Sequence, residues 1–196
     1  MLYATYYMKM KTPPLRVGFD MDGVLLYNPG RIIRPIASSF KRIFQKKKKL
    51  HFYYPKTTYE KIFWRFVHKS SIYNAPGINE ITELVKKGEI EAYLITARYN
   101  FLGKSVDNWV KKNKLEKTFT GVFFNSKDEE PHLFKEQMIK KLKLELYIED
   151  NFDIVNHLKK NTPAEILWIY NILDRKIPFK RKYPDLKSAI SSFHHD

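Results

Sequence analysis

The chain has 196 residues, 43% of them hydrophobic, enough for one domain with a substantial core and too many for a disordered chain. It holds no cysteine, which excludes disulfides, thiolate zinc sites and a cysteine nucleophile, and makes a cytoplasmic setting the default expectation. The formal net charge is +15, and most of it is local: from Arg31 to Ala75 twelve Lys and Arg stand against one acid, Glu60, so attraction to polyanions is expected there.

Residues 1–12 read as an apolar leader lacking the charge and cleavage pattern of a secretory signal, and no window approaches the roughly 18 apolar residues of a membrane span. Leu15-Arg-Val-Gly-Phe-Asp20 is a short apolar run ending in an acid, the pattern of a buried strand. Residues 31–75 then break the rhythm with two predicted helices, about 31–45 and 57–70, separated by Lys46–Lys49 and an aromatic stretch up to Pro55. A plain crossover needs far fewer residues, so this segment reads as an inserted helical cap. Its aromatic residues, Phe40, Phe44, Phe52, Tyr53, Tyr54, Phe63 and Trp64 among them, are expected mostly in a core, with one or two free to stack on a flat group.

After the insertion, helices are predicted at 78–87 (closed by Gly88), 103–112, 132–143, 153–160 and 185–193. Strands are predicted at 91–96, 120–124, 144–149 and 165–170, completing a set of five. Alternation of this kind predicts an α/β fold: a Rossmann-like, doubly wound parallel sheet covered on both faces, with ligands beyond the carboxyl ends of the strands. Residues 1–30 and 76–196 would form the core, and 31–75 the cap.

Three strand ends carry candidate chemistry. Asp20 and Asp22, two residues apart and followed by Gly23, can place one carboxylate on a metal and phosphorus while the other reaches a leaving group. Thr96 offers a hydroxyl at the same edge, and Glu149-Asp150 a second carboxylate source for a hard cation such as Mg²⁺. Lys135 would neutralise phosphoryl charge, with Lys127 and Lys140 as rivals for that place. Arg98 reads either as a phosphate contact or as half of a surface ion pair; Asp153 either as a further acid or as the opening of a helix. The six histidines show no metal-binding spacing and receive no role.

Taken in order, Val17-Gly-Phe-Asp20-Met-Asp22-Gly23-Val24, Tyr93-Leu-Ile-Thr96, Lys135 and Ile148-Glu149-Asp150 resemble the four motifs of the haloacid dehalogenase superfamily, over about residues 15–170. The resemblance implies that Asp20 is the nucleophile of a phosphatase and forms an aspartyl-phosphate, while Asp22 exchanges protons with the leaving group and water. It further implies Mg²⁺ held by Asp20, Asp150 and the backbone carbonyl of Asp22, and phosphoryl oxygens held by Thr96, Ala97 and Lys135, with Glu149 and Arg98 as additional candidates. The capped form is similar to the small 5′(3′)-deoxyribonucleotidase-like branch, which implies a nucleoside monophosphate or another small phosphorylated substrate. The basic segment keeps open a phosphatase acting on nucleic-acid ends, or a module that binds nucleic acid without hydrolysis.

Overall fold

Alternation along the strands decides which helix covers which face of the sheet. The computed structural model describes residues 13–27, 54–69 and 73–194. In chain order these form β1 (Leu15–Phe19), β2 (Leu26–Tyr27), α1 (Thr58–Lys69), β3 (Tyr73–Asn74), α2 (Ile78–Lys86), β4 (Ile90–Tyr99), α3 (Gly103–Lys112), β5 (Phe119–Asn125), α4 (Pro131–Leu142), β6 (Leu146–Glu149), α5 (Phe152–Asn161), β7 (Glu165–Ile169), β8 (Lys182–Tyr183) and α6 (Leu186–Ser191). The main sheet runs β5-β4-β1-β6-β7-β8 and every pairing in it is parallel. Renumbered within that sheet, the order is 3-2-1-4-5-6, the doubly wound arrangement expected from the sequence.

Val17, Phe19, Ala92, Leu94 and Ile148 bury on one face, against Ile81 of α2, Val106 of α3 and Ala189 of α6. Their chain neighbours Tyr93, Ile95 and Tyr147 bury on the other, against Phe134 and Ile139 of α4 and Val155 and Leu158 of α5. Both clusters are closed by aliphatic and aromatic side chains that bury almost all of their surface, each contributing roughly 1.5–3 kcal/mol.

Three expectations need correction. The sheet has six strands rather than five: β8 is two residues long, pairs Lys182 with Trp168 of β7, and is too short and too basic to show a period in sequence. β4 continues past Thr96 to Tyr99, with a shift of register against β5 between those two residues. Phe63 of α1 is exposed and Trp64 half-buried, where a core position was expected.

The short antiparallel pair β2–β3 sets Leu26 against Asn74 and Tyr27 against Tyr73. The predicted helix 31–45, Lys46–Lys49, Phe40, Phe44, Phe52, Tyr53 and the leader at 1–12 lie outside the described residues. Among the described residues, no helix is long and apolar enough to cross a membrane.

Candidate active site

The order in which strands are added reverses at β1: β4 and β5 extend the sheet on one side, and β6, β7 and β8 on the other. In open α/β sheets such a switch point leaves a crevice beyond the carboxyl ends of the strands. Asp20 follows β1 there, Thr96 and Arg98 lie near the end of β4, and Glu149 and Asp150 close β6. The predicted strand-end residues therefore meet in one place.

Local sequence fixes the loop that carries the two aspartates. Asp20 N–H donates to Ile148 O (3.0 Å), tying the loop to β6. Leu25 N–H and Leu26 N–H both donate to Met21 O, at 3.0 and 2.8 Å, so the chain turns back at once while burying Met21, Val24 and Leu25. Gly23 has φ 91°, and a Cβ there would run into the Asp150 carboxylate. A glycine also acts from inside β1. A Cβ on Gly18 would stand 2.5 Å from Leu144 and 2.6 Å from the Tyr147 ring, and the space lets Tyr147 pass beneath the strand. Its hydroxyl donates to Ile95 O of β4 (3.1 Å), pinning the residue before Thr96. Burial raises the Tyr147 pKa well above its ordinary value, so the hydroxyl stays a donor.

Two charge clusters share the site. In the first, Lys135 of α4 is 2% exposed, with Nζ 2.6 Å from Glu149 Oε2 and 3.1 Å from Asp20 Oδ1. The other oxygen of Glu149 accepts from Asn151 N–H (3.0 Å). Burial pushes the Asp20 carboxyl up to about 8, and the nearby Glu149, Asp150 and Asp22 charges add to the rise while Lys135 opposes it. Glu149 is likewise raised, first by burial. Burial works against the Lys135 ammonium, but Asp20 and Glu149 outweigh it and hold its pKa above the usual lysine value. Lys127 is exposed, and Lys140 is exposed and pairs with Glu136 (2.6 Å), so neither rival enters the cluster.

In the second cluster Asp22 is gripped by Arg98, which donates from Nε to Oδ2 (2.7 Å) and from Nη2 to Oδ1 (2.6 Å). Arg98 is 5% exposed, so the surface ion pair admitted by the sequence is not what forms. Its Nη1 donates to Ser105 Oγ (3.0 Å), which itself donates to Leu102 O (2.6 Å). His68 of α1 brings Nδ1 to 3.4 Å from Asp22 Oδ2, without the alignment of a hydrogen bond. Burial alone would raise Asp22; Arg98, then His68, outweigh it and hold the carboxyl well below its ordinary range. Thr96 is buried beside this pair, and its Oγ1 accepts from Arg98 N–H (3.3 Å). Ala97, between them, is half-buried.

An oxygen from each of Asp20, Glu149 and Asp150 lies within 4.8 Å of the others. These are hard donors of the kind Mg²⁺ takes, and the cleared space over Gly23 leaves the Asp150 carboxylate room to serve. Glu149 is committed to Lys135 and Asn151, which leaves Asp20 and Asp150 as the carboxylates suited to the ion. Trp168 Nε1 donates to Asp150 O (3.1 Å) and orients that residue from β7. Asp153 lies in the first turn of α5, where its N–H is capped by Asn151 Oδ1 (3.0 Å).

Sequence reasoning missed His68 and Ser105. Neither has a motif around it; His68 reaches Asp22 only because α1 lies over the strand ends, and Ser105 reaches Arg98 one turn into α3.

No protein-family model matches the chain, and no curated protein matches it. Solved structures do. A haloacid dehalogenase-like family hydrolase from Xanthomonas campestris aligns over 94% of this chain and 96% of its own, with TM-score 0.56 at 12% identity. CbbY from Rhodobacter sphaeroides, solved in complex with phosphate, covers 88% and 94%, with TM-score 0.57 at 12% identity. A putative β-phosphoglucomutase from Thermotoga maritima covers 79% and 84%, with TM-score 0.50 at 19% identity. The fold of this chain is the one these solved structures share. At these identities the likeness concerns the fold, and the chemistry has to be argued from the site.

Proposed function

We propose that this chain is a phosphate-monoester hydrolase that works through an aspartyl-phosphate on Asp20. The observation that carries the reading is the juxtaposition of Asp20, Lys135 and Asp150 at the switch point of the sheet, with Asp22 held separately by Arg98. Asp20 and Asp150, with the backbone carbonyl of Asp22, would hold Mg²⁺, which supplies charge neutralisation for the nucleophile and the phosphoryl oxygens.

Asp20 attacks phosphorus, the bond from phosphorus to the leaving oxygen breaks, and that oxygen takes a proton from the Asp22 carboxyl. Water then attacks the same phosphorus, its proton passes to Asp22, and the bond to Asp20 breaks to release inorganic phosphate. Arg98 holds Asp22 ionised in the free protein, so the first proton arrives with a phosphate monoanion and the last one leaves with the product. Lys135 faces Asp20 from α4, where it offsets charge on the nucleophile and on the transferring group; Thr96 and Ala97 would bind the phosphoryl oxygens from β4.

The substrate is a small phosphorylated molecule, with a nucleoside monophosphate the first candidate. Tyr99 and Phe101 stack at 6.1 Å, and Arg65 of α1 lies 5.9 Å over the Phe101 ring, a flat and cationic surface that suits a base. The test is phosphate release from nucleotides, sugar phosphates and 3′-phosphorylated DNA, with and without Mg²⁺, beside Asp20→Asn. Metal-dependent release lost in the variant is expected. Release that survives Asp20→Asn would sink the mechanism, and preference for DNA ends would displace the small-molecule reading.

A further inference from the structure

Arg98 has more in hand than a structural ion pair needs. Its two bonds to Asp22 fix both oxygens of the carboxylate and therefore the plane in which they lie. The guanidinium is itself oriented through Ser105, whose hydroxyl is anchored on Leu102 O. It is oriented again through its own backbone, since Arg98 N–H donates to Thr96 Oγ1. Three points of the β4–α3 connection thus converge on one carboxylate belonging to β1's loop. The irregular register of β4 between Thr96 and Tyr99 lies at the residue that makes this reach.

We propose that Arg98, held by Ser105, is a positioning residue that sets where the Asp22 carboxyl stands for both of its proton transfers. This rests on the phosphatase reading above. A lysine in place of Arg98 keeps the charge but makes a single contact and leaves the carboxylate free to turn. A carboxylate out of line fails at proton transfer before it fails at binding phosphate.

The experiment compares two esters with different need of that proton: an alkyl phosphate, whose leaving oxygen must be protonated, and p-nitrophenyl phosphate, whose leaving group departs without one. Wild type, Arg98→Lys and Ser105→Ala are assayed with Mg²⁺ for the single-turnover rate of leaving-group release from each ester, and calorimetry measures affinity for inorganic phosphate. Arg98→Lys should lose about 10²-fold in that rate on the alkyl ester and at least about tenfold less on the aryl ester. Phosphate affinity should hold within about twofold. The aryl ester should show a burst of nitrophenol, because water attack on the aspartyl-phosphate still depends on Asp22. Ser105→Ala should show the same pattern more weakly, and it serves should Arg98→Lys not fold. Equal losses of single-turnover leaving-group release on both esters, or losses confined to phosphate affinity, would overturn the positioning role and leave the phosphatase reading standing. Wild type that releases phosphate from neither ester nor from the wider panel would overturn both.

Discussion

Asp20 and Asp22 stand two residues apart on one loop and are almost equally buried, yet their neighbours drive them in opposite directions. Asp20 shares a single cation, Lys135, with Glu149 and has Asp150 close by, so burial and like charge raise it. Asp22 is paired with the Arg98 guanidinium, with a histidine beyond it, and is held far down. Two carboxyl groups pushed apart in this way can take different parts in one reaction. The two strands flanking β1 also serve different carboxylates: β6, with α4 beside it, balances Asp20, while β4 holds Asp22.

The contrast breaks most visibly at its one shared cation. Lys135→Met leaves Asp20 and Glu149 buried without a counter-charge, and the expected cost is ~3–5 kcal/mol of stability together with loss of phosphate release. Urea denaturation and phosphate assays on the same preparation check both; a variant of wild-type stability would show that the cluster is not balanced by Lys135.

A second test sharpens the comparison through pH. A carboxyl whose folded pKa is raised keeps its contribution fully below the unfolded value and loses it as pH rises through the folded one. For Asp20 that window runs from the ordinary carboxylate value near 3.8 up to about 8. Without divalent metal, wild type should therefore lose melting temperature relative to Asp20→Asn across this window, and Mg²⁺ should flatten the slope. Asp22 has the opposite sign: its contribution is present above the ordinary carboxylate range and disappears only as pH falls through its depressed value. A difference between wild type and Asp20→Asn that is flat from pH 4 to 8 would count against a raised Asp20.

The smallest effect belongs to Lys140, five residues from Lys135 on the same helix. It is exposed and pairs with Glu136 across one turn. Lys140→Ala should change stability by no more than about 0.5 kcal/mol and leave phosphate release untouched. A large loss of activity there would reopen the choice between the two lysines.

Much of this was legible from the chain alone, because it is written in local patterns. The apolar runs that end in Asp20, Thr96 and Glu149, and the helical periods between them, follow from burial on two faces of a sheet, a constraint that each segment records in its own residues. The period over 103–112 marks helix α3 to the residue, and strand ends and their order point to Asp20, Thr96 and Asp150. What sequence could not decide is what depends on contacts between distant segments. The choice of Lys135 over Lys127 and Lys140 turns on which ammonium reaches Asp20 and Glu149. Glu149 as the partner of that lysine, Arg98 as the grip on Asp22, and His68 beside it are set 14, 76 and 46 residues along the chain, where no local period connects them. Charge pairing in a buried site depends on distances of a few ångström between such segments, and only the packed fold determines those.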